Sequence, residues 1–223
     1  MKSFTFNNVS SDTLKIIVKD MPPIPRAERD IETLDISGRN GSLHIDNKSW
    51  KSRAYTIQCV CADKSKIDDI RKTFYGTHNL VLSDYSDRYF IATIKNQIDF
   101  GKYLTYCEEF PLQFELDPIA YANEETTETL SASGSITVGG NVEVSPIITI
   151  TGTGTITING YQVAVTESEI TIDCNLMQCY KNSVAKNDKV TLEEFPILKV
   201  GSNTITFGTG ITGATIKYRE GWL

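Results

Sequence analysis

Apolar and polar residues alternate at every second position through much of the chain, a period that predicts strands. Phe4 and Phe6 flank Thr5, and Leu14, Ile16 and Val18 share one face of the next run. Met21-Pro22-Pro23-Ile24-Pro25 cannot continue a paired strand. Three prolines within four residues fix φ and remove ladder donors, so a connection or an exposed arm belongs there. Ile31, Thr33 and Asp35 alternate with Glu32, Leu34 and Ile36, a strand with one apolar face. Asn40-Gly41, both tolerant of positive φ, predicts a tight hairpin before Leu43 and Ile45 reopen a strand. Tyr55, Ile57, Cys59 and Cys61 fall on every second position of another run, which makes the two cysteines neighbours on one strand face.

One stretch keeps helical spacing. From about Lys64 to Tyr75, Ile67, Ile70 and Phe74 form an apolar stripe with charges opposite. Ser65 with Asp68 resembles a capping box, and Gly76 supplies the stop. Strand alternation resumes over 79–83, 88–95 and 105–116, and Pro118 closes that block. Ala122–Ser135 is small and polar and reads as a linker or a long edge loop. Beyond it, short Thr, Ile and Val runs at 136–138, 142–144, 147–151, 155–159, 161–165 and 169–173 are separated by glycine turns. Asn159-Gly160 is again a hairpin signal, and 204–207 and 214–218 complete the set. Such spacing predicts an antiparallel sandwich or jelly roll. The expected fold is mainly β in two domains. Residues 1–121 carry one helix at about 64–75, and 122–223 form the sandwich, with 122–135 as linker.

Composition adds exclusions. With 40% apolar and 22% charged residues among 223, the chain is globular rather than disordered. A formal charge of −6 argues against a nucleic-acid binder, which needs a basic face. No apolar run approaches membrane-spanning length, and the N-terminus lacks the apolar core of a signal peptide. Synthesis and folding in a cytosol are expected. The five cysteines fit, being odd in number and without CxxC spacing. From Tyr103 to Tyr180, 78 residues contain no Lys or Arg and 11 Asp or Glu. That stretch reads as a solvated acidic surface, as an electronegative wall facing DNA in transit, or as scattered carboxylates for calcium, although no EF-hand-like loop is present.

Candidate chemistry is sparse. The two histidines, His44 and His78, have no metal-ligand spacing, and a zinc site of Cys59, Cys61 and His44 competes poorly with packed thiols. Cys174 and Cys179 read as packed thiols too. Thr151-Gly152-Thr153-Gly154-Thr155 fails as a phosphate loop, because the third glycine position is Thr157 and no Gly-Lys-Ser/Thr follows. The acid pairs Glu108-Glu109, Glu124-Glu125 and Glu193-Glu194 would point to opposite faces on a strand. No catalytic residue, cofactor or metal ligand is assigned. Among the aromatics of the second half, Tyr161, Tyr180 and Trp222 would stack on a sugar if they shared an exposed face, whereas core or interface anchoring is the commoner use.

Several motifs, in order, resemble the distal tail protein family of long-tailed bacteriophages and prophages. They are Phe4-Thr5-Phe6-Asn7-Asn8, the proline-rich stretch, and Ile36-Ser37-Gly38-Arg39-Asn40-Gly41-Ser42-Leu43. Arg88-Tyr89-Phe90-Ile91-Ala92, Phe110-Pro111-Leu112-Gln113-Phe114 and Ile156-Thr157-Ile158-Asn159-Gly160 follow. The segment Glu194–Ile205 resembles the family's C-terminal strand–turn–strand, and Tyr218–Leu223 its usual end. The family-matching turn residues are Gly38, Arg39, Asn40 and Gly41, then Asn159 and Gly160. Asn8 stands where glycine is commoner, and the stretch after Gly160 is not distinctive.

The resemblance implies a virion structural protein rather than an enzyme. Its N-terminal β-domain would close into a homohexameric ring, with a galectin-like sandwich on the outside. The ring would join the tail tube protein to the tail tip or baseplate protein, and DNA would pass the lumen without specific binding. A receptor-binding protein or a host glycan would be a further partner. The protein would reside in the virion tail after assembly in the bacterial cytoplasm. Two other classes stay open from the residues alone: a carbohydrate-binding sandwich for host attachment, and a hydrolase with opposed acids or a triad.

Overall fold

The computed structural model describes residues 2–96, 101–104 and 107–223. It divides into two compact units, Met1–Ala120 with Leu223, and Tyr121–Trp222. Among the described residues no helix is long and apolar enough to cross a membrane.

The first unit contains β1 (Phe4–Phe6), β2 (Val9–Ser10), β3 (Ile16–Asp20), β4 (Arg29–Leu34), β5 (Leu43–Trp50) and β6 (Arg53–Cys61). An α-helix, α1 (Ile67–Thr73), precedes β7 (Thr77–Leu82), β8 (Tyr85–Ile94), β9 (Gly101–Leu104) and β10 (Cys107–Ala122). The sheet runs β2-β1-β7-β8-β10-β6-β3, with β9 against β10, while β4 and β5 pair only with each other. Alternation sets the faces: Tyr55, Ile57, Cys59 and Cys61 of β6 all point into the core, beside Phe110, Leu112, Phe114 and Leu116 of β10. Helix α1 covers this face with Ile70 and Phe74, both buried as their spacing predicts. The Phe74 ring stacks on Phe6 at 5.6 Å and tilts against Phe4 at 5.9 Å.

Some expectations change here. Asp63, whose carboxylate accepts from the Ser65 amide, caps the 3-10 turn before the helix, while α1 itself has Lys66 at its N-cap and no side-chain cap. A 3-10 turn at Lys64–Lys66 precedes α1 and moves the cap upstream. Pro118 does not end its strand, since β10 runs to Ala122. The register with β6 stops at Leu116, so the missing proline N–H breaks no bond to that neighbour. The start of the expected strand at 105 lies outside the described residues.

The second unit contains β11 (Thr126–Leu130), β12 (Gly134–Val138), β13 (Ile147–Gly152), β14 (Gly154–Ile158), β15 (Tyr161–Val165) and β16 (Glu169–Asp173). β17 (Gln178–Lys181), β18 (Val184–Ala185), β19 (Val190–Leu192), β20 (Gly201–Phe207), β21 (Ile211–Tyr218) and β22 (Gly221–Trp222) follow. A six-stranded sheet, β11-β21-β13-β16-β17-β18, faces a five-stranded one, β12-β20-β14-β15-β19. Ile148, Ile150, Ile170, Ile172 and Ile216 from the first meet Ile156, Ile158, Val163, Val165 and Ile205 from the second in one cluster. That is the inward half of each alternating strand, and the fold is a β-sandwich. The expected linker at 122–135 holds β11, which pairs with β21 along its whole length. Its alternation of Thr, Glu and Leu (TTETL) is that of an edge strand with a wet outer face, easily mistaken for a loop. The strand expected at 142–144 is a single bridge between Val144 and Leu198, and the segment before Gly201 is likewise a bridge rather than a strand.

The glycine run at 151–155 is explained by close approach. Gly152 and Gly154 lie against the backbone of Thr209–Ile211, and a Cβ at either would collide with a carbonyl oxygen. Gly210 faces the Thr153 carbonyl in the same way, and all three hold positive φ. These residues serve chain crossing rather than anion binding.

Candidate functional site

Two surfaces stand out, one on each unit. On the first unit, β4 and β5 form a ribbon whose register pairs Leu34 with Leu43 and Glu32 with Ile45, while Ile31 lies across from Asp46 and Thr33 from His44. Alternation therefore puts Glu32, Leu34, Leu43 and Ile45 on one face and Ile31, Thr33, His44 and Asp46 on the other, while Ile36 lies in the turn beyond β4. The polar face is internally satisfied. Arg29 forks onto Asp46 at 2.9 and 3.1 Å, and the His44 ring nitrogen Nδ1 lies 3.2 Å from the Thr33 hydroxyl. The Arg29 hydrogen bond holds the Asp46 carboxyl below its usual value.

The apolar face is not covered. Leu34, Ile36 and Ile45 keep 41%, 47% and 39% of their surface exposed, although the pattern predicted an apolar face of the kind that is normally buried. The turn also differs from expectation. It is eight residues long, from Asp35 to Ser42, and its positive φ values fall on Gly38 and Gly41 but not on Asn40. Arg39 donates its amide to the Ile36 carbonyl, so Gly38 occupies the turn position that demands φ near +80°.

The base of the ribbon is rigid. Buried Met21 and Ala27 anchor the proline-rich segment, and the Tyr55 hydroxyl donates to the Pro22 carbonyl at 2.8 Å. Arg53, 8% exposed, donates to the carbonyls of Pro25 and Pro118 at 2.8 and 3.2 Å and stacks over Phe90. Burial pushes its guanidinium below the usual value. Trp50 lies under both Arg29 and Arg26, at 4.9 and 5.7 Å.

On the second unit a cleft of about 790 Å³ opens at the five-stranded sheet. Its floor is the outward side of three paired strands, where Thr155 lies across from Ala164 and Ala164 from Thr191. Small side chains keep that floor low. Tyr161, Gln162, Glu193 and Glu194 also line it. The two-residue turn Asn159–Gly160, with φ of 50° and 93°, brings Tyr161 to the rim. Asn159 is spent on holding that turn: its amide oxygen accepts from Thr204 N–H, and its NH2 donates to Ile197 O and to Asn203 Oδ1. Asn203, fully buried, is in turn bonded to the backbone of Lys199 and Gly201.

The three aromatics expected to face a sugar do not come together. Tyr161 lines the cleft, Tyr180 sits on β17 in the opposite sheet, and Trp222 is on β22, in neither sheet of the sandwich. Glu193 and Glu194, expected to diverge, line the same cleft, because β19 ends at Leu192 and the pair falls in a bend. Gln162, Thr155 and Thr191 carried no signal in the sequence, since outward strand positions accept any polar residue. The remaining candidates are structural. Cys59 and Cys174 are buried thiols pushed up to about 12 by desolvation, His44 lies on the ribbon away from that core, and no metal-holding cluster occurs among the described residues.

Residues 139–222 match the family model of the siphovirus-type tail component, C-terminal domain. The whole chain is similar to a crystal structure of the SPP1 Dit (gp 19.1) protein, described as a paradigm of the hub adsorption apparatus in phages infecting Gram-positive bacteria. The TM-score is 0.79 over 100% of both chains at 14% identity, a likeness that shows the fold. No curated protein matches the chain. The family match and the shared fold agree with the resemblance and the mainly β fold class read from the sequence.

Proposed function

We propose that this chain, a phage tail component of the distal tail type, is a hub subunit that closes into a hexameric ring joining the tail tube to the tail tip. The N-terminal domain, residues 1–121, forms the ring, and the C-terminal domain, residues 122–223, decorates its outside. The observation that carries this reading is the ribbon of β4 and β5, with a rigid base and an apolar face open to water. Burying an exposed aliphatic side chain contributes about 1.5–3 kcal/mol, and a two-stranded ribbon is marginal alone. Its occupant is a second copy of this chain. A ring needs two different complementary patches per subunit, and an extended ribbon on one side supplies the first of them.

The ring's work is mechanical. Six copies carry a formal charge of −36, and an acidic lumen lets phosphates pass without adsorbing. Retention of duplex DNA by the assembled ring at low salt would count against that part.

Light scattering after size exclusion, with negative-stain imaging, tests the assembly. The expected species has about six times 24.8 kDa and is ring-shaped. Leu34→Lys with Ile45→Lys should leave a folded monomer. A native chain that stays monomeric at every concentration, and also with purified tail tube protein added, overturns the ring.

A further inference from the structure

We propose that Asn40, in the turn between β4 and β5, is a site of uncatalysed covalent modification in the folded protein, where asparagine converts to aspartate and isoaspartate, while Asn159 in the second unit is held unreactive. Both asparagines precede a glycine, and these are the chain's two Asn-Gly pairs. The reaction needs only solvent. The backbone nitrogen of the glycine loses its proton to hydroxide and attacks the asparagine side-chain carbon Cγ. The Cγ–Nδ2 bond breaks, the departing nitrogen takes up a proton as ammonia, and a cyclic succinimide remains. Water then adds to one of the ring's carbonyls. Opening at Cγ leaves aspartate, and opening at the main-chain carbonyl leaves isoaspartate, whose backbone runs through the side chain. Glycine favours the attack because no Cβ stands beside its nitrogen.

Local structure gives the two pairs opposite fates. Asn40 and Gly41 are exposed, and neither the Asn40 side-chain amide nor the Gly41 N–H enters a hydrogen bond among the described residues. A Cβ built on Gly41 would meet nothing within 4 Å, so the space around the attacking nitrogen is open. The Ser42 hydroxyl donates to Asp35 at 2.6 Å and the Arg39 amide to the Ile36 carbonyl at 3.1 Å. The ends of the turn are thereby pinned, and the Asn40-Gly41 step between them stays free to change conformation. Asn159 is the reverse case. Its NH2 donates to the Ile197 carbonyl and to Oδ1 of fully buried Asn203, and its side-chain oxygen accepts from the Thr204 N–H. An asparagine side chain must swing round to present Cγ to the following nitrogen, and at Asn159 all three bonds must open first. Conversion at Asn40 adds one carboxylate next to Arg39 in a chain already at −6, and isoaspartate also lengthens the backbone path from β4 to β5 by a methylene.

The test incubates the full chain at neutral and at mildly alkaline pH in water enriched in heavy oxygen, then cuts it briefly with pepsin in acid, where succinimide formation stops. Mass spectrometry reads amide loss and heavy-oxygen uptake at each asparagine, and isoaspartyl methyltransferase counts the isoaspartate. Asn40 should convert more than about tenfold faster than Asn159, because three hydrogen bonds hold the second site. Its rate should rise in proportion to hydroxide, and Gly41→Ala, which sets a Cβ beside the attacking nitrogen, should slow it severalfold. In urea the two asparagines should convert at like rates, since only the fold separates them. An Asn40 amide that persists in the native chain after both have converted in urea overturns the proposal. Native conversion of Asn159 as fast as Asn40, a native difference that survives in urea, or an unslowed Gly41→Ala overturns it too.

Discussion

The two units solve the same problem with different residues. The first fills its core with Phe4, Phe6, Phe74, Phe90, Phe110 and Phe114, while the second uses Ile and Val almost throughout, with Tyr218 as its buried aromatic. A sheet covered by one short helix leaves an uneven gap, and large rings able to meet edge-on fill it. Two facing sheets leave a gap of constant depth, which β-branched side chains fill in single rotamers. The surfaces diverge too. The first unit exposes apolar side chains on its ribbon, and the second exposes Leu176, Met177, Val184 and Val200 while small polar side chains line its cleft.

Truncation in the aromatic core gives the largest expected effect. Phe6→Ala removes contacts to Phe74 and Phe114 at once and should cost about 3–5 kcal/mol. Ile156→Ala in the sandwich should cost about 2–5 kcal/mol. Urea unfolding of both variants measures the contrast, and a smaller loss in the first unit than in the second would break it.

Glycine substitution compares a close backbone approach in the second unit with an open turn in the first. Gly210→Ala puts a Cβ against the Thr153 carbonyl at a φ of 92°, and a loss of about 1–3 kcal/mol is expected. Gly38→Ala, also at positive φ but with open space around it, should cost about 1 kcal/mol. Equal midpoints for the two would show that the crossing at Gly210 is looser than described.

Removing a buried donor sharpens the account of the ribbon base. Arg53→Met keeps the packing over Phe90 and leaves the carbonyls of Pro25 and Pro118 without their donor. A loss of about 1–3 kcal/mol is expected, with faster amide exchange over 26–53 as the local signature. Unchanged exchange there would separate Arg53 from the ribbon.

The smallest effects lie on the ribbon itself. Leu34→Lys with Ile45→Lys should change the unfolding free energy by less than about 0.5 kcal/mol per site while abolishing assembly, because both side chains are exposed in the single chain. The pH dependence is similarly local. Asp46 titrates below its ordinary 3.8 when folded, its carboxylate held first by the Arg29 hydrogen bond. A depressed folded value means its contribution is complete above 3.8 and fades as pH falls through the folded value. Amide exchange over β4 and β5 should therefore accelerate in that acid window, and an acceleration starting near neutrality would point to a different group.

Much of this architecture was legible in the chain because alternation fixes which side of a strand is buried. Tyr55 to Cys61, the sandwich isoleucines and the helix stripe of Ile67, Ile70 and Phe74 all follow from period alone. Asn159-Gly160 was equally plain, since a two-residue turn at positive φ has few alternatives. β11 was not, because one half-exposed edge strand has the composition of a loop until β21 pairs with it.

The ordered motifs carried the family resemblance, but not the surfaces. Period gave Glu32, Leu34 and Ile36 alternating with Ile31, Thr33 and Asp35, and only the tertiary structure brought Leu43 and Ile45 beside Leu34 and left Leu34, Ile36 and Ile45 exposed. Tyr161, Tyr180 and Trp222 were equal candidates by type, and sheet membership separated them. Glu193 and Glu194 came to one cleft because β19 stops one residue earlier. Local pattern encodes which side of an element avoids water, whereas a site is made by residues distant in sequence. Their meeting depends on the pairing and closure of whole sheets, which no local period records.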